Sequence, residues 1–553
     1  MGLLLTLLWQ VAFAASEPTR AAHGMVVSAD TFASSVGVEV LQEGGNAVDA
    51  AIATAFTLAV THPTGGNIGG GGFLIHQPRA GKPIAYDFRE SAPAASHPGM
   101  WLDDGEYNFQ RHHLSHMSVG VPGTVAGLYM AWQDSGSLPW ERLVAPAIAL
   151  ARDGFVLSDG LARSLRNGLQ RMRKYPASMA QFSNDGVAFV AGEVLRQADL
   201  ADSLSRIAKD GPAGFYQGPT ADFIVAEMRA NGGLITHDDL ANYRAHRREP
   251  VQGDYRGYRI VSMPLPSSGG TTLLEMLNIL EAYDIASLGF GSTATLHLMI
   301  ESMRRAYADR ARYLGDPEFN DNPVSRLISK SYARDLRLTI RLDQASVSSA
   351  TDFAWPAESE ETTHFSVVDK DRNAVSLTYT LEYGYGSAIV VPGAGFLLNN
   401  EMGDFNAGPG LTNANGLIGT PANLAEPGKR MLSSMSPTIV TRNGELFMVT
   451  GTPGGRTIIN TVLQTLLNVI DHGMNAQAAV DAGRIHHQWL PDKFYYERQS
   501  FSPDSIRLLE KLGHIAVERK VQGSAQVIVV NADEMSLEGG QDRRHADSAA
   551  VGY

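Results

Sequence analysis

The chain has 553 residues, 45 Lys and Arg against 58 Asp and Glu, a formal net charge of −13, and no cysteine. The missing cysteines exclude disulfides, thiolate metal sites and a cysteine nucleophile, and the acid excess argues against a general binder of phosphate backbones, which needs a basic face. A hydrophobic share of 44% and a charged share of 19% belong to a globular chain, and 56 glycines put weight on loops and close backbone approaches.

Residues 2–15, GLLLTLLWQVAFAA, are apolar but shorter than the ~20 residues of a spanning helix. They run into Ala12-Phe13-Ala14, a small-residue cleavage pattern, so residues 1–14 are expected to be an export signal, although no Lys or Arg precedes the run. No later segment is apolar over the length a span requires. Residues 25–41 predict a strand and then a helix. Asn46, with Asp49 three residues on, predicts a capping box opening an apolar helix that runs to about Thr61 and stops at Pro63. The glycine-rich run 65–72 follows that helix and precedes an apolar strand at Phe73–Ile75. This is the reverse of the order a dinucleotide loop needs, and no Gly-Lys-Ser/Thr follows any glycine run.

From about 119 to 340 the pattern is mostly helical, with three-to-four-residue apolar spacing over 141–154, 200–208, 219–231 and 291–313 and strand character at Tyr258–Ser262. Residues 343–361 are polar, acidic and unpatterned, and are expected to be exposed and mobile. Strand periodicity dominates after them. Phe365 and Val367, then Val375, Leu377, Tyr379 and Leu381, alternate with other residues around a turn at Asp369–Asn373. Centring this hairpin on Asp371 places Thr362 opposite Thr380, and directly opposed side chains sit ~4.5–5.5 Å apart at Cβ. From spacing alone, a pair of threonines here reads as two ordinary strand formers.

The stretch TTHFSVVDKDRNAVSLTYTL at 362–381 resembles the start of the small subunit of γ-glutamyltransferases, which are N-terminal-nucleophile hydrolases. The resemblance extends in order through GGNAVDAA at 44–51, IGGGGF at 68–73, DFRE at 87–90, VPGTVAG at 121–127 and MPLPSSGG at 263–270. It continues through LLNNEMGDF at 397–405, LSSMSPTIV at 432–440, TGTPGGR at 450–456 and HHQWLPD at 486–492. It implies an α+β fold, a four-layer αββα sandwich, built as one interlocked domain from two self-processed pieces. Cleavage between Glu361 and Thr362 would give a helix-rich large subunit (15–361) and a strand-rich catalytic small subunit (362–553), held as a heterodimer. The freed α-amine, with an ordinary pKa of about 7.7–8, can take the hydroxyl proton, so that Thr362 supplies both nucleophile and base. The activity implied is γ-glutamyl transfer and hydrolysis on glutathione or related γ-glutamyl compounds, with water or an amino acid or peptide amine as acceptor. The location implied is periplasmic or secreted, with no cofactor and no nucleic-acid partner.

The same resemblance assigns roles residue by residue. Thr380 is the second threonine, hydrogen-bonded to the nucleophile. Gly454 and Gly455 offer backbone N–H groups to an oxyanion, between a strand at 446–450 and an apolar helix from about Thr457, whose N-terminus favours negative charge. Arg89 clamps the substrate α-carboxylate, Ser433 and Ser434 donate hydroxyls to it, and Glu401 and Asp404 hold the α-amine. Two positions depart from the family pattern. Glu382 stands where many members have Asn, adding a negative charge at the amine-binding end. Asn415 stands where some members place a gating Tyr, in a loop long enough to be a lid, and a weaker gate admits water or bulkier donors. Glutaryl-cephalosporin acylases and poly-γ-glutamate cleavers of the same fold are the rival reading, to which Glu382 points. A non-processing exported binding protein is the other. His112, His113, His116, His486 and His487 lack a recognisable ligand motif and read as structural or surface histidines, with no metal expected.

Overall fold

The computed structural model describes residues 16–348, 362–411 and 419–553. The export signal, Glu361 and Asn415 lie outside the described residues. Local chemistry sets the first elements. Strand Met25–Ser28 leads into helix Thr31–Gln42, whose N-cap Asp30 accepts from Ala33 N at 3.0 Å. Asn46 then caps helix Ala47–Thr61, its side chain accepting from Val48 N and Asp49 N while Asp49 accepts from Asn46 N at 2.9 Å. Every residue of this helix is buried, as its uniformly apolar and small composition dictates.

Two seven-stranded antiparallel sheets form the centre. In the first, neighbouring strands are His246–Arg248, Ile84–Phe88, Gly71–Gln77, Ala374–Thr380, Thr363–Val368, Met25–Ser28 and Ala549–Gly552. In the second they are Thr19–Ala21, Ser536–Gln541, Gln526–Asn531, Glu445–Gly451, Thr438–Arg442, Tyr258–Ser262 and Val251–Tyr255. Each sheet takes strands from both sides of residue 361. The outer face of the first sheet (Phe365, Val375, Leu377, Tyr379) packs on Ala47–Thr61 and its neighbouring helices. The second sheet is covered by Gly269–Leu280, Thr293–Tyr313 and Thr457–Ile470. The result is the four-layer αββα sandwich.

The inner face of the hairpin is polar but dry. Ser366 Oγ donates to Gln526 O and Ser376 Oγ to Thr450 O, both at 3.0 Å, tying the two sheets together. Buried His364 bonds Thr378 Oγ1 at 2.8 Å, and burial lowers its pKa to about 3. The strand alternation therefore separates two buried faces, one apolar and one hydrogen-bonded, rather than a core face from a wet one.

One expectation changes. In residues 343–348, read as the start of an exposed mobile segment, Asp343, Gln344 and Val347 are exposed as expected, but the main chain is hydrogen-bonded to the rest of the protein. Ala345 N donates to Leu512 O at 2.7 Å, Ser346 N to Glu301 at 3.0 Å and Ser348 N to Asp492 at 2.8 Å. The composition of the segment hid this because its partners are main-chain groups and charges distant in sequence.

The Asp369 carboxylate, 2% exposed, holds both the hairpin turn and the start of helix Ala47–Thr61. It accepts from Asp371 N and Asn373 N at 2.9 Å, Asn373 Nδ2 at 2.8 Å and Ala47 N at 3.0 Å. Asp369→Ala leaves these donors without their acceptor, and is expected to cost about 2–4 kcal/mol. Unfolding of the variant beside the wild type checks this, and a loss no larger than a surface substitution gives, within ~0.5 kcal/mol, refutes it.

Candidate active site

The hairpin places the two threonines. Thr363–Val368 pairs with Ala374–Thr380 in the register Thr363↔Tyr379 through Val368↔Ala374, the one centred on Asp371. Thr362 immediately precedes the strand, and its hydroxyl donates to Thr380 Oγ1 at 3.2 Å. Both are buried. Thr380 is held from the other side, where it pairs with Gly71.

The glycine-rich run serves this corner. Asn67 Nδ2 donates to Gly65 O and Thr380 O, both at 2.9 Å, and Asn67 Oδ1 accepts from Gly70 N at 3.0 Å and Thr124 Oγ1 at 2.8 Å. A Cβ on Gly65 would lie 3.0–3.2 Å from the main chain of Thr362 and Thr363. The glycines thus let one backbone lie against another, and the residue they approach is the candidate nucleophile.

Charge gathers on the facing wall. Arg89 is fully buried, its guanidinium paired with Glu401 and Asp404, with Glu90 at 3.7 Å and Met431 O at 3.2 Å. Burial alone would lower the Arg89 pKa, but Glu401, Asp404 and Glu90 outweigh it and raise it. Burial pushes Glu90 up to about 7 against the pull of Arg89, and raises Glu401 well above the carboxylate range. The groups read as clamping a substrate carboxylate and holding its amine are therefore paired with one another in this structure.

Ser434 Oγ accepts from Arg310 Nη2 at 2.9 Å, and Ser433 Oγ accepts from Met435 N at 3.1 Å. Gly454 and Gly455 turn the chain between strand Glu445–Gly451 and helix Thr457–Ile470 with φ of +133° and +54°, which side chains resist. The Gly454 carbonyl caps the turn by accepting from Thr457 N at 3.0 Å and Thr457 Oγ1 at 2.7 Å. This aims the positive end of the helix at the site.

An open pocket of about 350 Å³ brings together Arg89, Thr362, Thr380, Glu382, Glu401, Asp404, Ser433, Ser434 and Gly455, with Gly454 one residue before Gly455 in the turn. Met435 and Ile458 also line it, and were not anticipated. Nor was Arg310, because its partner Ser434 is 124 residues away and nothing local marks the pairing. Glu90 carries its signal only as the last letter of the Asp-Phe-Arg-Glu run.

The flagged histidines are buried and bonded: His112 Nε2 to Met402 O at 3.0 Å, His116 Nε2 to Glu227 at 2.8 Å, His486 Nδ1 to Asn460 at 2.7 Å and His487 Nε2 to Asp492 at 3.4 Å. Among the described residues, the group that brings three ligand-capable atoms within 4.8 Å is a different one, His297, Glu301 and His514. There the two imidazoles already bond each other at 2.7 Å, and Glu301 accepts from Arg305 at 2.6 Å and from Ser346. Two adjacent arginines make it a poor cation site.

Comparison with known proteins gives a consistent picture. The gamma-glutamyltranspeptidase family profile matches residues 33–552. A glutathione hydrolase proenzyme of Escherichia coli (strain K12) is 48% identical over 541 residues, covering 97% of this chain and 93% of that protein. A crystal structure of a cephalosporin acylase from Bacillus halodurans superposes with a TM-score of 0.84 at 28% identity, covering 100% of this chain and 99% of that one. The Helicobacter pylori gamma-glutamyltranspeptidase structure matches 60% of this chain and 95% of its own at 42% identity and a TM-score of 0.58.

Arg89→Met would leave Glu90, Glu401 and Asp404 facing one another without a cation, at an expected cost of about 3–5 kcal/mol near pH 8. Glu90 and Glu401 already have raised proton affinity, and losing Arg89 raises it further, so the folded variant takes up protons as pH falls and the deficit shrinks toward pH 5. Denaturant unfolding of both proteins at the two pH values measures this, and a deficit independent of pH contradicts it.

Proposed function

The chain belongs to the gamma-glutamyltranspeptidase family, and we propose that it is a self-processing enzyme that cleaves γ-glutamyl amides such as glutathione through an acyl-threonine intermediate. The observation that carries this reading is Thr362 Oγ1, 3.2 Å from Thr380 Oγ1, in one pocket with buried Arg89 and Glu401 and half-buried Asp404. A γ-glutamyl donor carries an α-carboxylate and an α-ammonium on adjacent bonds. It can enter by exchange, Arg89 passing from Glu401 and Asp404 to the substrate carboxylate while those carboxylates take the ammonium. Ion pairs are replaced rather than created, so binding avoids leaving a buried charge alone.

The steps follow from these positions. Hydrolysis of the 361–362 peptide bond converts the Thr362 amide into a free α-amine. That amine takes the hydroxyl proton as Oγ1 adds to the γ-carbonyl carbon, and the oxyanion faces the Gly454 and Gly455 N–H groups at the helix N-terminus. Collapse expels the amine portion, which leaves with the proton, and Thr362 carries a γ-glutamyl ester. Water, or an acceptor amine, then attacks the ester and returns the proton to Oγ1. Thr380 holds the nucleophile's rotamer throughout. The pieces 15–361 and 362–553 stay together because each sheet draws strands from both. The apolar run at 2–15 supports export to the periplasm or beyond, and no helix among the described residues is long and apolar enough to cross a membrane.

A second reading, an acylase of the same fold, is favoured by Glu382 at the donor end and by the full-length likeness to the cephalosporin acylase. A panel of γ-glutamyl, glutaryl and α-glutamyl anilides separates the two, since a glutaryl donor lacks the amine that Glu401 and Asp404 would hold.

Intact-mass measurement after incubation at neutral pH should give two fragments, the smaller with the 192 residues from Thr362 to Tyr553. Thr362→Ala should stay uncut and lose at least ~10³-fold in turnover. A single uncut wild-type chain without turnover overturns the reading in favour of a binding protein. Gly65→Ala should slow both cleavage and turnover by roughly 10²-fold, the scale of an ångström's displacement of a reacting atom.

A further inference from the structure

His113 takes no part in the steps above, yet it ends a chain of polar groups, buried His112 and His113 joined through the half-buried Tyr107, whose hydrogen-bond directions follow from one end to the other. Met402 O can only accept, so His112 Nε2, at 3.0 Å, carries a hydrogen. Burial lowers the His112 pKa well below its usual value, so its Nδ1 is bare and accepts the Tyr107 hydroxyl hydrogen at 3.0 Å. The Tyr107 oxygen must then accept from His113 Nε2 at 3.1 Å. This leaves His113 Nδ1 without a hydrogen, and it faces Glu382 Oε1 at 3.3 Å. The other carboxylate oxygen, Oε2, accepts from Asn400 Nδ2, so any proton on Glu382 belongs on Oε1. A bare ring nitrogen against an ionised oxygen sets lone pair against lone pair in a dry site. One hydrogen between them satisfies both.

The surroundings are built for this contact. His113 is stacked between Phe109 and Tyr383, with ring centroids at 4.7 and 5.6 Å. A side chain on Gly403 would collide with His113 Nδ1 and both Glu382 oxygens. Glu382 holds a left-handed backbone at φ +76°, which Asn tolerates better than Glu, and its N–H donates to Thr380 Oγ1 at 2.9 Å. Something must offset that strain. Among the described residues, the charged or titratable groups facing the pair include Asp404 and Arg456 toward His113, and Arg171 and Tyr107 toward Glu382. Arg171 is committed to the Gly384 and Gly386 carbonyls and lies over the Tyr383 ring.

We propose that Glu382 and His113 share a single proton and act as one neutral unit at the donor end of the pocket, making His113 a positioning residue for donor selectivity. This rests on the γ-glutamyl reading of the site. The shared proton removes the penalty that a third carboxylate beside Glu401 and Asp404 would impose on the donor's α-carboxylate. Its loss at alkaline pH adds one negative charge there and weakens binding of the anionic donor, while the chemistry at Thr362 is less affected.

The test compares KM and kcat for a γ-glutamyl anilide from pH 6 to 10 in wild type, Glu382→Gln and His113→Phe. A Gln amide donates to His113 Nδ1 and accepts from Asn400 at every pH, so it keeps the geometry without a proton to lose. Wild-type KM is expected to rise about tenfold more than that of Glu382→Gln toward pH 10, the scale of one added charge near a bound anion. His113→Phe should show a raised KM already at pH 7. Parallel KM profiles in wild type and Glu382→Gln overturn the proposal, as does an unchanged KM in His113→Phe. Ionisation of the donor's own amine is common to all three and cancels. If wild type turns over no γ-glutamyl donor, the functional reading fails. The pair is then tested without a donor by nitrogen NMR titration of His113, assigned by its absence in His113→Phe. A step present in wild type and missing in Glu382→Gln is expected, and identical titrations contradict it. Should Glu382→Gln not fold, Gly403→Ala replaces it. It pushes a methyl group into the pair and should raise KM at pH 7, whereas an unchanged KM counts against the pair.

Discussion

A guanidinium sealed from water among three carboxylates organises this molecule. Arg89 is fully buried, and a charge in that position is tolerable only if partners surround it. Holding those partners requires much of the fold. The Arg89 amide is anchored on Asp87, whose carboxylate is itself locked by Arg430 at 2.6 Å and Arg248 at 2.7 Å. The Arg89 carbonyl is capped by the Tyr243 hydroxyl at 2.8 Å, and Glu401 and Asp404 arrive from beyond residue 362. The rigidity of the surrounding layers holds these buried charges in place.

The hairpin is rigid for a different reason. Both of its faces are buried, one by apolar packing and one by hydrogen bonds to the second sheet, and its turn is tied through Asp369 to a helix N-terminus from the other side of the cleavage point. Thr362 lies under Gly65 and against Thr380, on a strand that can neither slip nor twist without breaking buried bonds. The glycine-rich loop and the polar inner face of the hairpin are therefore parts of one device that holds Thr362 still.

The parts legible in the sequence were those set by local rules. The capping box at Asn46, the stop before Pro63 and the hairpin register follow from spacing within about ten residues, and the structure has them where spacing puts them. The order of strands in the sheets did not follow, since it depends on pairings such as Met25–Ser28 with Ala549–Gly552, which no local pattern encodes. The glycine run could be denied a phosphate role from its order in the chain, but its actual use needs the position of Thr362. Among site residues, those within quoted motifs were accessible through resemblance. Arg310 and the His113 contact were not, because each acts through a partner more than a hundred residues away or through the direction of a hydrogen bond.

Protons complete the charge balance that side chains leave open. Around Arg89 stand Glu90, Glu401 and Asp404, three acids to the guanidinium they share, with Glu382 on the same pocket wall. Burial works against ionising all of them, pushing Glu90 up to about 7 and raising Glu401 well above the usual carboxylate range. Glu382 solves the same problem with His113 rather than by burial alone. On the γ-glutamyl reading proposed above, a donor bringing both a carboxylate and an ammonium would leave the net charge of such a pocket unchanged, whereas a donor bringing only a carboxylate would have to bring a proton or displace one. Selectivity would then rest on the proton count of the pocket as much as on its shape.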